Sequence, residues 1–164
     1  THIFQVAKED SITDTVEWVA MDDAALSVFV PYYPMLTTDT YAGYQLSTAA
    51  ADFVEAQPES GVYYATTKNK RNENGERVKV EGFCILPENW ADSVYWTMDA
   101  LSNLYEYGTL TDEEKAQVET TLADLQAECY EVYNQLKADP DNATAISAAQ
   151  KVHEACVALV NSVK

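Results

Sequence analysis

A chain of 164 residues is long enough for one domain with a continuous core, and 47% hydrophobic with 11% aromatic residues separates it from disordered sequences. Its 27 acidic side chains against 10 basic ones give a net charge of −17, which repels a phosphate backbone and argues against nucleic acid as a partner. No apolar run reaches the roughly 18 residues of a membrane span, and Thr1 opens directly on a strand-like segment without a signal-peptide pattern, so no membrane attachment is expected while the localisation stays open.

The opening segment HIFQVA, residues 2–7, is a candidate strand of undetermined pairing. In TVEWVAM, residues 15–21, Val16, Trp18 and Ala20 alternate with Thr15, Glu17, Val19 and Met21, the period of a half-buried strand. LSVFVPY, residues 26–32, follows an acidic turn at Asp22 and Asp23 and completes a predicted hairpin. Pro31 and Pro34 should stop it, because proline cannot donate to a ladder. From Met35 to Ser60 the pattern weakens to loop with one short helix over residues 47–56. A second hairpin is predicted from GVYYATTK and ERVKVEGFCIL across NKRNENG, where Asn74-Gly75 offers the positive φ angles of a tight turn.

The remainder reads as helix. Residues 89–108 carry Val94, Met98, Leu101 and Tyr105 at helical spacing and close at Gly108. Thr111 caps the next helix, with Glu114 three residues on completing a capping box. Val118, Leu122, Leu125, Cys129, Val132 and Leu136 form its apolar stripe until Asp139-Pro140. A last helix, from about residue 142 to 162, carries Ile146, Ala149, His153, Cys156, Val160 and Val163, and the short link predicts an antiparallel pair. Strands first and helices last is α+β order. A composition shift near Leu110 separates a β-rich segment with one helix, residues 1–110, from the helical pair, residues 111–164, packing on it.

Few residues announce chemistry. Cys84, Cys129 and Cys156 are an odd number without paired spacing and read as small core residues rather than a disulfide framework. His153 and Cys156 stand three apart on one helix face, a spacing that can present two metal ligands, but the face is apolar and no second pair accompanies them. A core histidine with one satisfied nitrogen is the better reading, and neither metal nor cofactor is expected. His2 has no local partner for nucleophilic catalysis. Lys68, Lys70, Arg71, Arg77 and Lys79 cluster in the second hairpin as a solvated face that could meet a carboxylate. Asn142-Ala143-Thr144 fits a glycosylation acceptor. Thr1 invites comparison with N-terminal threonine hydrolases, which use the hydroxyl as nucleophile and the α-amine as base.

Four segments, THIFQV at residues 1–6, TVEWVAMDDAALSVFVPYY at 15–33, GVYYAT at 61–66 and NWADSVYWTMDALSNLYE at 89–106, together resemble the later portion of the relaxed-specificity cysteine dipeptidases of the N-terminal-nucleophile hydrolase superfamily. The similarity runs in patches to about residue 107, and the acidic helical pair is similar only in kind. The resemblance implies a four-layer αββα fold and a nucleophilic cysteine at a processed N-terminus, with its own α-amine as base and an acyl-enzyme intermediate. None of the three cysteines here can have a free α-amine, so the nucleophile is expected upstream and the chain is expected to be inactive alone. Its partners would then be a dipeptide substrate and the upstream half of the same protein. Tyr32 and Tyr33, just past a strand end, are the substrate-binding candidates, with aromatic packing the plainer reading. Exposed apolar surface on such a portion predicts self-association. Two other readings stay open: a non-enzymatic acidic interaction module using the helical pair, and a hydrolase built on Thr1.

Overall fold

The computed structural model describes residues 1–6, 15–34, 36–45, 53–55, 63–108 and 110–163. Strands β1 (His2–Gln5), β2 (Val16–Val19) and β3 (Val30–Tyr32) form an antiparallel sheet in the order β1-β2-β3. The alternation in β2 sets its faces: Val16, Trp18 and Ala20 are buried, whereas Glu17 and Val19 are half-buried on the opposite side. Trp18 pairs with Ile3 on one side and Pro31 on the other, and its ring meets Tyr130 and Tyr133 at centroid distances of 5.4 and 5.2 Å. Beyond β1, the Thr1 nitrogen donates to the Ala20 carbonyl at 2.7 Å, and the Thr1 carbonyl accepts from the Ala20 amide at 3.0 Å.

The expected strand over residues 26–32 is shorter than its pattern. Ala24–Leu26 wind into a 3-10 turn because Asp23 caps it, accepting the Ala25 amide hydrogen at 2.9 Å. Pro31 lies inside β3 rather than ending it, in keeping with an edge strand, where a missing donor is tolerated.

A four-residue helix, α1 (Ala42–Gln45), follows where the sequence suggested loop. The second sheet, in the order β4-β6-β5, consists of β4 (Phe53–Val54), β5 (Tyr63–Arg71) and β6 (Arg77–Ile85). Phe53 and Val54 therefore correct the short helix expected over 47–56, being paired as strand with Cys84 and Phe83. The rest of that stretch, Glu55 apart, lies outside the described residues. The β5–β6 hairpin forms as expected, from Tyr63 opposite Ile85 to Arg71 opposite Arg77. Its connection is not a two-residue Asn-Gly turn, however. Gly75 alone in it has positive φ, at 78°, and the Asn72 side chain organises the loop by accepting from the amides of Asn74 and Glu76 at 3.0 Å each.

A second 3-10 turn at Trp90–Asp92 leads through Ser93 into α2 (Val94–Tyr107). Helix α3 (Asp112–Ala138) starts with the predicted capping box: Thr111 Oγ1 accepts from the Glu114 amide at 3.2 Å, and Glu114 Oε2 accepts from the Thr111 amide at 2.7 Å. Helix α4 (Asn142–Val163) is capped by Asp141, which accepts from the Ala143 and Thr144 amides at 3.2 and 3.0 Å. A Lys151–Glu128 ion pair of 2.6 Å ties α4 to α3, with its members nearly equidistant in sequence from the link, as antiparallel helices require. Val132 and Ile146, expected in the stripes, are only half-buried, while Val152 and Leu159 widen the buried band of α4. That helix packs against α2, α3 and β3 together, so one narrow stripe would not cover it. One apolar core joins the strands to the helices through Val16, Val30, Leu101, Val118 and Val160, all at 0% exposure.

Candidate functional site

Glu17 and Tyr32 are register partners on β2 and β3, so both side chains stand on the sheet face opposite Trp18. They line a half-open cleft of about 400 Å³ with His2, Val19, Met21, Pro34, Thr37, Thr40 and Tyr44. Across the ladder His2 Nδ1 comes within 2.6 Å of Glu17 Oε1, giving His2 the carboxylate partner that its local sequence lacked. The rings of Tyr32 and Tyr44 meet nearly edge to face, 6.2 Å apart at 79°. Burial pushes the Tyr32 phenol up to about 12 against the opposing pull of the Tyr41 backbone amide, and burial with the neighbouring Tyr32 raises Tyr44 further. Both phenols are thus neutral hydrogen-bonding groups in the physiological range.

Of the two tyrosines singled out by sequence, only Tyr32 reaches this cleft. Tyr33 is 4% exposed and lines a separate crevice with Leu36, Asp141, Asn142 and Ala145 at the start of α4. Successive residues of an extended segment point to opposite sides, so the two could not share one site.

The three cysteines are buried, Cys84 and Cys129 at 1% exposure and Cys156 at 0%. Burial holds the thiols of Cys129 and Cys156 up at about 12, which suppresses the thiolate that nucleophilic attack requires. His153 corrects its expectation in one respect: both ring nitrogens are engaged, not one. Nδ1 lies 3.0 Å from the Tyr41 hydroxyl and Nε2 lies 3.0 Å from Thr97 Oγ1. Burial lowers the proton affinity of this imidazole, against the Ser93 backbone carbonyl and the charges of Asp92 and Glu154. A pocket of about 540 Å³ opens beside it, lined by Tyr41, Gly43, Asp92, Glu154 and others. Among the described residues no group of three or more His, Cys, Asp or Glu side chains is arranged to hold a metal ion.

The remaining sequence candidates are structural in their contacts. Lys70 pairs with Glu55, and Arg71 Nη1 donates to the Gly75 carbonyl, while Arg77 and Lys79 are exposed on β6. Asn142 of the acceptor triplet donates through Nδ2 to the Asp39 carbonyl at 3.2 Å. Among the described residues no helix is long and apolar enough to cross a membrane. What sequence reasoning missed is the cleft: Glu17 was legible only as the outward member of an alternation, and Tyr44 fell in the weakly patterned stretch after Met35. In comparisons with known proteins, the chain matches no protein-family model, no curated protein and no solved structure.

Proposed function

We propose that this chain is the scaffold portion of a cysteine-type dipeptidase of the N-terminal-nucleophile class, supplying one wall of the dipeptide site and inactive by itself. The observation that carries this reading is the position of Tyr32 in a cleft of about 400 Å³, within the range of small-ligand sites. All three thiols of the chain are buried, and in this reading the attacking sulfur is supplied from outside this chain. In this reading the two antiparallel sheets are portions of the central layers of an αββα sandwich, and α2, α3 and α4 belong to its helical layers. β1 is the natural place for the upstream half to add a strand: it is an edge strand, and Ile3, Phe4 and Val6 around it are 50%, 61% and 78% exposed. The same surface supports the expectation that the chain on its own self-associates.

Complementation tests the proposal. Neither this chain nor a separately produced upstream half is expected to hydrolyse dipeptides, and the mixture is expected to do so until the upstream N-terminal cysteine is changed to alanine. Dipeptide turnover by this chain alone, or none by a stable mixture, defeats it. The alternative of a non-enzymatic module using the helical pair draws on one observation, the 55% exposure of Tyr130 on α3. It predicts that the chain remains monodisperse and gains no turnover in that assay. A Thr1 hydrolase needs its α-amine free to act as base, whereas the Thr1 nitrogen donates to the Ala20 carbonyl. It predicts amide cleavage by this chain that Thr1→Ala abolishes.

A further inference from the structure

We infer that the cleft between β2, β3 and α1 binds a small organic ammonium ion, with Glu17 as its counter-ion. Glu17 is the only carboxylate among the described residues that line the cleft, and it stands at 23% side-chain exposure, where a cation gains more than it would on open surface. Its present partner, His2 Nδ1 at 2.6 Å, already marks the carboxylate as a seat for a nitrogen donor. His2 sits on an edge strand with 53% of its side chain exposed, so an incoming ammonium can displace it outward.

The rest of the cleft suits such a ligand. An ammonium has three donors and no acceptor, and Thr37 Oγ1, which spends its hydrogen on the Tyr33 carbonyl at 2.9 Å, keeps lone pairs to receive one. Val19, Met21 and Pro34 supply an apolar wall for a carbon stem. The Tyr32 and Tyr44 rings, 6.2 Å apart, add aromatic surface that attracts a cation. An anion would face both Glu17 and a chain of net charge −17. Identifying the ammonium as the α-amino group of a dipeptide rests on the hydrolase reading, whereas the ammonium site itself does not.

Titration of the full chain with n-butylammonium near neutral pH, followed by two-dimensional NMR, is expected to shift Glu17, Tyr32 and Tyr44 saturably, and n-butanol is expected to shift them far less. Glu17→Gln should weaken binding about tenfold, the loss of one charge-assisted hydrogen bond. Glu131→Gln, on the exposed side of α3, should leave it unchanged and so separates the site from general attraction to an acidic protein. His2→Ala, at an exposed position that keeps the carboxylate, should retain or tighten it. Absence of binding, equal binding of n-butanol, equal weakening by Glu131→Gln, or loss in His2→Ala overturns the inference. Alanyl-alanine that binds and is lost on N-acetylation extends the site to dipeptides. Butylammonium bound with alanyl-alanine excluded upholds the ammonium site and removes the dipeptide from it.

Discussion

The Tyr41 hydroxyl stands 3.0 Å from His153 Nδ1 and ties the segment entering α1 to the middle of α4. On the far side of the ring Thr97 Oγ1 lies 3.0 Å from Nε2 and 3.4 Å from the Trp90 carbonyl. One set of protons that satisfies every contact has Tyr41 donating to Nδ1, Nε2–H donating to Thr97, and Thr97 donating to Trp90. A second proton on the imidazole would remove the acceptor that Tyr41 uses.

This arrangement makes stability depend on pH in a definite direction. Burial lowers the folded-state value of His153 below the ordinary 6.5, so the unfolded chain binds the proton more readily. The stabilisation is complete above the unfolded value and is lost as pH falls through the folded one. Thermal melting followed by circular dichroism should therefore show a falling Tm as pH drops from about 6.5 to 5, above the range where carboxylates titrate. Glu114 and Asp141, which their cap hydrogen bonds hold low, act below that window. His153→Gln should melt lower at neutral pH yet show a flatter dependence. Equal slopes in the two proteins would show that His153 is not the titrating group.

Gly43 is what lets α1 approach this histidine. A Cβ at that position would come 2.6 Å from Tyr41 Cε1, 3.1 Å from His153 Nδ1 and 3.1 Å from Val94 Cγ2, so something must move. Gly43→Ala is expected to lose about 1–3 kcal/mol in urea denaturation, the usual cost of overpacking. Combined with His153→Ala, which empties one of the crowded positions, the loss should be smaller than the sum of the two single effects. Full additivity would mean that the methyl is accommodated elsewhere.

What could be read from the sequence was local in the chain. The Thr111–Glu114 capping box is a four-residue pattern, the faces of β2 follow from alternation, and the three helices follow from stripes with clear stops. The features that build the sites are not local. His153 meets Tyr41 and Thr97 across 112 and 56 residues, and His2 meets Glu17 across a ladder whose register nothing in the opening segment specified. The strand expected over residues 26–32 forms only at Val30–Tyr32 for a similar reason: its apolar run reflects burial against α3 and α4, while the 3-10 turn capped by Asp23 takes up its first residue, Leu26.

Just before β3, a helix side chain holds the backbone of Phe29. Gln126 Oε1 accepts the Phe29 amide hydrogen at 2.8 Å, and Gln126 Nε2 donates to the Phe29 carbonyl at 3.1 Å. Gln126→Leu keeps the bulk but strands both backbone groups in a half-buried position, at an expected cost of about 1–3 kcal/mol. Hydrogen exchange at the Phe29 amide gives a local readout. It should accelerate in Gln126→Leu well beyond the change at buried amides of α4, and unchanged protection would show that Phe29 is held by something other than the clip.

The thiols bear most directly on the proposed function. With burial pushing Cys129 and Cys156 up to about 12, their thiols stay protonated at neutral pH, which leaves too little thiolate for rapid attack. Cys84, at 1% exposure, is shielded from reagents by burial itself. A chromogenic disulfide reagent added to the native chain should therefore titrate essentially nothing on a minute timescale, and in denaturant it should titrate all three cysteines. Cys129→Ser and Cys156→Ser should each cost stability, because a hydroxyl replaces a small apolar group in the core. One thiol that labels rapidly in the folded chain would place a reactive cysteine within these residues, and the reason for seeking the nucleophile on preceding sequence would be gone.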